Sequence, residues 1–158
     1  MKTSHPHTPW RAYSAHAIFE TETSLLWPKV ADFAGLPELV PEMVASGSVE
    51  GTGVRSVRTL NFADGKSVKE TLISFHPELF RFAYSMQDPA PFPWEQYFAT
   101  YQLQALGAGQ THLLITGFYH PSGGEPGGVK GILEGVYRTI FEGLARALKV
   151  RVSIHPEE

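Results

Sequence analysis

Three features of the sequence predict an α+β fold, a single antiparallel sheet with one substantial helix at the C-terminus. Runs rich in β-branched and aromatic residues follow one another through the middle of the chain, separated by Gly, Pro, Asp or Asn. Their connections are short, which favours an antiparallel meander over a parallel sheet. An apolar period of 3.6 appears only near the end, at Val129, Ile132, Leu133, Val136, Ile140, Leu144 and Leu148.

The elements follow in order. Tyr13, Ala15, Ala17 and Phe19 alternate with Ser14, His16 and Ile18, the period of a first strand. Ser24 is placed to cap a short helix over 25–33, with Pro28 tolerable near its first turn and Gly35 at its end. Residues 36–41, broken by Pro37 and Pro41, read as a second short helix or turn. Six strands are expected over 49–51, 54–62, 67–75, 79–86, 95–106 and 111–120, making seven with the first. The stretch 87–93 holds three prolines and reads as a loop. The predicted organisation is a flexible N-terminus over 1–10, one domain over 11–150 and a C-terminal tail over 151–158.

Composition narrows the function. The 158 residues include ten Phe, six Tyr and three Trp but no Cys, which excludes disulfides, a thiolate nucleophile, a zinc ribbon and an iron–sulfur cluster. A formal net charge of -3 without a Lys/Arg cluster argues against nucleic acid as a partner. The polar start has no apolar core of a secretory signal, and no apolar run approaches the ~20 residues that span a bilayer. The expectation is a cytoplasmic protein without membrane insertion, monomeric or weakly dimeric. No metal site or cofactor is expected: His5 and His7 lack a third ligand, and His112, His120 and His155 show no acid or ligand partner at useful spacing. No Ser-His-Asp motif, P-loop or dinucleotide-binding glycine pattern is present.

Several strings carry a resemblance. They are Leu26-Trp27 with Val30-Ala31-Asp32-Phe33-Ala34-Gly35-Leu36, Gly53-Val54-Arg55-Ser56-Val57-Arg58-Thr59-Leu60, Ala63-Asp64-Gly65 and Val68-Lys69-Glu70-Thr71-Leu72. His76-Pro77, Tyr84, Tyr97 and Gly135-Val136-Tyr137-Arg138 complete them. In this order and spacing, from Tyr13 to Leu148, the chain resembles the START-related, birch-pollen-allergen-type superfamily. It is similar to the bacterial polyketide cyclase/dehydrase and lipid-transport-like branch, and to plant abscisic-acid receptors. The resemblance implies a helix-grip fold with a seven-stranded sheet wrapped around the long helix, and a ligand cavity between the two. It also implies that positions matching Arg58, Glu70 and Tyr97 point into that cavity. One departure stands out: Ala45 occupies about the place where the receptors carry a ligand-pairing lysine, which argues against abscisic acid itself.

The residues support the same register independently. Ala63-Asp64-Gly65 has the form of a three-residue hairpin loop, a type I turn followed by a left-handed Gly. It pairs Phe62 with Lys66 and so Arg58 with Glu70, whereas a two-residue Asp-Gly turn would put Thr59 opposite Glu70 and separate the charges. Two readings of the pair stay open. It binds the polar end of an otherwise apolar ligand, with Glu70 as a candidate acid or base, or it is an ordinary cross-strand ion pair. The other candidate lining residues are Phe82, Tyr84, Met86, Tyr97, Ala99, Tyr101, Ile115, Tyr119, Val136 and Ile140, with Leu113 and Gly117 on the same face. Phe33, Leu36 and Phe92 are expected to gate the mouth. Ala99 and Gly117 would leave room in the sheet, and Gly131, Gly135 and Gly143 suggest close packing or a kink in the helix. The functional expectation is binding of a hydrophobic or aromatic small molecule such as a lipid, polyketide or hormone. The alternatives are a cyclase or dehydratase whose catalytic candidates are Glu70, Tyr97 and Arg58, and a co-chaperone-like interaction domain.

Overall fold

The computed structural model describes residues 9–122 and 126–156. Strands β1 (Arg11–Phe19), β2 (Val44–Glu50), β3 (Val57–Phe62), β4 (Ser67–His76), β5 (Arg81–Met86), β6 (Trp94–Gly107), β7 (Gln110–Pro121) and β8 (Val152–Pro156) form one sheet. Helices α1 (Thr23–Val30) and α2 (Leu36–Leu39) lie between β1 and β2, and α3 (Pro126–Leu148) precedes β8. The strand order is β2-β3-β4-β5-β6-β7-β1-β8, antiparallel at every pairing.

The sheet has eight strands, not the expected seven. The additional one lies in the stretch read as a tail: β8 pairs with the free edge of β1, placing His155 opposite His16 and Ile154 opposite Ala17. A five-residue segment gains its partners only from that edge, so its own pattern carries little signal. β2 also begins earlier than expected, because Ala45-Ser46-Gly47-Ser48 on an exposed edge lacks the alternation of a half-buried strand. At the N-terminus, residues 1–8, which include His5 and His7, lie outside the described residues. Trp10 packs on the outer face of the sheet, its ring 5.4 Å from Phe98 and 4.0 Å from His120.

Helix α1 starts at Thr23 without a side-chain cap from Ser24. Thr23 instead turns inward, its Oγ1 2.9 Å from Thr111 Oγ1, and Thr111 Oγ1 donates to the Thr21 carbonyl. The helix stops at Val30 because Asp32 organises a turn: its side chain accepts the Ala34 N–H at 3.2 Å and its carbonyl the Gly35 N–H at 3.0 Å. Phe33 therefore sits on the turn between α1 and α2 rather than on a helix.

The inner face of β1 (Tyr13, Ala15, Ala17, Phe19) and of β7 (Leu113, Ile115) packs against Val129, Leu133, Tyr137, Phe141 and Leu144 of α3, all buried. Each large apolar side chain so buried stabilises the fold by about 1.5–3 kcal/mol. A second, smaller cluster of Val40, Val44, Leu60 and Val68 stands under α2. Leu36, Leu39, Met43, Met86 and Phe92 pack against both clusters, and the seam between them is where space remains. The helix glycines do not act alike. A Cβ on Gly143 would come within 2.6 Å of the Leu39 carbonyl and 2.7 Å of Val40 Cγ1, so this glycine lets α2 approach α3. Gly131 and Gly135 have open space beside them, and the expected close packing is absent there. Among the described residues no helix is long and apolar enough to cross a membrane.

Candidate ligand-binding site

The β3–β4 hairpin sets the site. Phe62 donates its N–H to the Lys66 carbonyl at 2.8 Å, and Gly65 takes φ +94°, so the loop has three residues and Arg58 faces Glu70. Both side chains are under a tenth exposed, and Arg58 Nε donates to Glu70 Oε1 at 2.8 Å. The guanidinium also donates from Nη1 to the Phe33 carbonyl at 3.1 Å. It lies 4.3 Å from the Phe33 ring centroid and 4.7 Å from that of Tyr84, within range of cation–π attraction to both. Burial works against the charge on Arg58, but Glu70 together with Tyr84 and Tyr101 outweighs it and holds the guanidinium above its ordinary range. Burial pushes the Glu70 carboxyl up from its usual value, against the pull of Arg58.

Tyrosines surround the pair. Tyr97 and Tyr137 bring their hydroxyls within 2.7 Å, and Tyr101 stacks on Phe82 at 4.7 Å. Burial raises the phenols of Tyr84 and Tyr97 well above the usual value and that of Tyr101 to about 12, so all three stay protonated near neutrality. The room expected beside Gly117 is already taken: a Cβ there would collide with the Tyr137 hydroxyl and lie 3.0 Å from Tyr97 Cε2.

An inner chamber of about 40 Å³ lies on this seam. Of the residues predicted from the sequence, it is lined by Leu36, Arg58, Glu70, Tyr84, Met86, Phe92, Tyr97, Val136 and Ile140. Phe82 and Tyr101 line a smaller neighbouring cavity of about 20 Å³, which shares Leu36, Arg58 and Ile140 with the first. Ala99, Ile115 and Tyr119 are buried in the core and line neither. Phe33, expected at the mouth, packs against the guanidinium instead and is not part of either lining. Ala45 is exposed on β2.

The chamber also includes residues the sequence reading missed: Met43, Leu60, Phe62, Trp94 and Leu133. Trp94 was not legible from alternation. Tyr97, Ala99, Tyr101 and Leu103 face inward two apart, which would turn Trp94 outward. A bulge in the β6–β7 pairing between Glu95 and Phe98, with Gln96 at φ 55°, resets the phase and brings Trp94 inside. Asp88 braces that bulge, its carboxylate accepting the Gln96 N–H at 3.1 and 3.2 Å. Tyr137, by contrast, shares the inner helix face with Leu133, Ile140 and Leu144, and the 3.6 period could have found it.

Outside the chamber, an open hollow of about 340 Å³ is bounded by Glu42, Ala63, Asp64, Lys66 and Thr139. It shares Met43, Phe62, Phe92 and Val136 with the inner chamber, so these four side chains form the partition.

A further polar cluster occupies the opposite face of the sheet. His112 Nε2 lies 3.0 Å from His16 Nδ1, and the His16 ring stacks on His155 at 5.3 Å. Sequence spacing does not show this grouping, because the strand pairing that joins the three histidines spans nearly the whole chain. Among the described residues no group of three or more His, Cys, Asp or Glu is arranged to hold a metal ion.

The profile of the polyketide cyclase/dehydrase and lipid transport family matches residues 14–150. The chain belongs to this family. No curated protein matches by sequence. Solved structures share the fold. An uncharacterised protein from Bacillus thuringiensis is 24% identical with a TM-score of 0.74, the alignment covering 88% of this chain and 98% of that one. The aromatase/cyclase Zhui of Streptomyces is 17% identical with a TM-score of 0.72, covering 89% and 95%. Norcoclaurine synthase of Thalictrum flavum, solved with a transition-state analogue, is 17% identical with a TM-score of 0.71, covering 90% and 96%.

Proposed function

We propose that this family member binds a hydrophobic or aromatic small molecule between the sheet and α3, with Arg58, Glu70 and Tyr97 ordering its polar groups. The carrying observation is a buried ion pair and the buried Tyr97 phenol on the wall of a chamber separated from an open hollow by the side chains of Met43, Phe62, Phe92 and Val136. The chamber alone is far below the ~300–1,000 Å³ of a typical ligand pocket. Movement of Met43, Phe62 and Phe92 would merge it with the hollow and bring the volume into that range. Phe62 and Phe92 meet edge to face at 5.8 Å, a contact that side-chain rotation can open.

Native mass spectrometry and a thermal-shift screen against lipids, aromatic polyketides and plant-type hormones test this. Binding of an apolar ligand is expected, weakened by Tyr97→Ala and by Glu70→Ala; unchanged affinity in both variants would show that the site lies elsewhere.

A second reading, a cyclase or dehydratase, is favoured by one observation: Glu70 has a carboxyl raised by burial and lies among phenols, as a proton-transferring group would. Two of the similar structures are an aromatase/cyclase and a synthase. In this reading Glu70 or Tyr97 moves a proton and Arg58 stabilises an enolate. Turnover that depends on pH and is abolished by Glu70→Gln supports it, and binding without turnover rejects it.

A further inference from the structure

We infer that the inner chamber selects an uncharged aromatic ligand whose hydrogen-bond acceptor, a ketone or quinone oxygen, meets the indole N–H of Trp94. This rests on the ligand-binding reading above and adds the ligand's charge and its polar anchor.

The charge argument starts from the lining. The chamber's charged side chains are Arg58 and Glu70, buried and joined at 2.8 Å, so their charges cancel. A carboxylate drawn to Arg58 would also meet Glu70, and displacing it would leave an unpaired buried anion. An ammonium group faces the same conflict with Arg58. A ligand without charge leaves the pair intact.

The acceptor argument comes from Trp94, which is 4% exposed and lines the chamber. Its Nε1–H is buried with no acceptor among the described residues, and an indole can only donate. Leaving such a donor unmet is unfavourable, and a ligand acceptor removes that penalty. The ring is preorganised for it, stacked between Phe92 at 4.7 Å and Tyr97 at 4.9 Å. The bulge that turns Trp94 inward is itself braced by Asp88. Of the hydroxyl pair Tyr97–Tyr137, in contact at 2.7 Å, only Tyr97 lines the chamber, so the indole is the donor on this wall whose partner is missing. The indole donor and the aromatic faces beside it together specify an aromatic carbonyl compound.

Three probes of one shape test this: 1-tetralone, tetralin and tetralin-1-carboxylate, titrated into the full chain and followed by two-dimensional proton–nitrogen NMR. The ketone is expected to bind about tenfold tighter than tetralin, the value of one buried hydrogen bond, and the carboxylate to bind more weakly than the ketone. The Trp94 indole resonance should move downfield with the ketone and not with tetralin, a readout that needs no variant. Trp94→Phe should bring the ketone down to the affinity of tetralin. Equal binding of ketone and tetralin, an unmoved indole resonance or preference for the carboxylate overturns this inference while leaving ligand binding intact. If none of the three shifts the chamber resonances, the binding reading falls and this inference with it.

Discussion

The two faces of the sheet solve the problem of polar groups in opposite ways. On the concave face Arg58 and Glu70 are buried as ions, matched charge for charge and flanked by aromatic rings. On the convex face His16, His112 and His155 are half-buried or exposed: a ring nitrogen of His16 meets one of His112 at 3.0 Å, and the His155 ring stacks on His16. The first arrangement depends on both of its charges, whereas in the His16–His112 contact one ring nitrogen must accept while the other donates. Two protonated rings at 3.0 Å would both be donors and would repel. A single strand hairpin fixes the first, while three strands far apart in sequence build the second.

The sharpest way to break this contrast is to remove one ion. Glu70→Ala leaves a buried, unpaired guanidinium and is expected to lower unfolding free energy by about 3–5 kcal/mol in denaturant melts. Replacing both residues, as Arg58→Met with Glu70→Leu, should recover most of that loss. A double variant no more stable than the single one would show that the charges are not coupled as the 2.8 Å contact implies.

Next in size is Gly117→Ala on the same concave face. The added Cβ runs into the Tyr137 hydroxyl and crowds Tyr97, and the expected cost is about 1–3 kcal/mol. Tyr137→Phe in that background should relieve part of it. Additive losses in the double variant would argue against this collision.

Acid should then separate the two faces. Burial, with His16 and His155 nearby, lowers the His112 pKa below its ordinary 6.5, so the unfolded chain binds the proton more readily. Stability contributed by this group is present above 6.5 and is lost as the pH falls through the lowered folded value. Glu70 has the opposite sign: burial raises its folded carboxyl above 4.5 against the pull of Arg58, so its protonation is not a source of the loss in the histidine range. Tm is therefore expected to decline as pH drops from 7 through the range below 6.5, with His112→Gln flattening that decline. A wild-type profile unaltered by His112→Gln would remove the histidine cluster as its cause.

The smallest effect belongs to the exposed rim of the same cluster. Ser153 Oγ lies 2.8 Å from His155 Nε2 on the surface, and Ser153→Ala should change stability by about 0.5 kcal/mol or less in the same melts. A much larger loss would mean that β8 anchors the sheet edge more firmly than a half-open strand should.

Part of the site was legible because it is local. The three-residue loop at Ala63-Asp64-Gly65 dictates a register over its own hairpin, and alternation by two then puts Arg58 and Glu70 on one face together with Leu60 and Val68. The long helix was equally legible from its period, down to the choice of Ile140 and Leu144 as buried. Gly131 and Gly135 misled because a glycine in a helix reads the same whether a neighbour crowds it, as at Gly143, or nothing does. Trp94 escaped because alternation fails across the bulge at Gln96, which is held by Asp88 eight residues earlier.

By itself, then, the sequence determined the α+β class, the hairpin register and the inward-facing charges, since turn chemistry and residue periodicity act over a few neighbours. Only the tertiary structure decided that β8 closes the edge of β1, that three distant histidines share one face and that Trp94 turns its indole into the wall of the chamber. Those outcomes depend on which strand edges meet and where a ladder slips by one residue, and such pairings are settled by the whole sheet rather than by any segment of it.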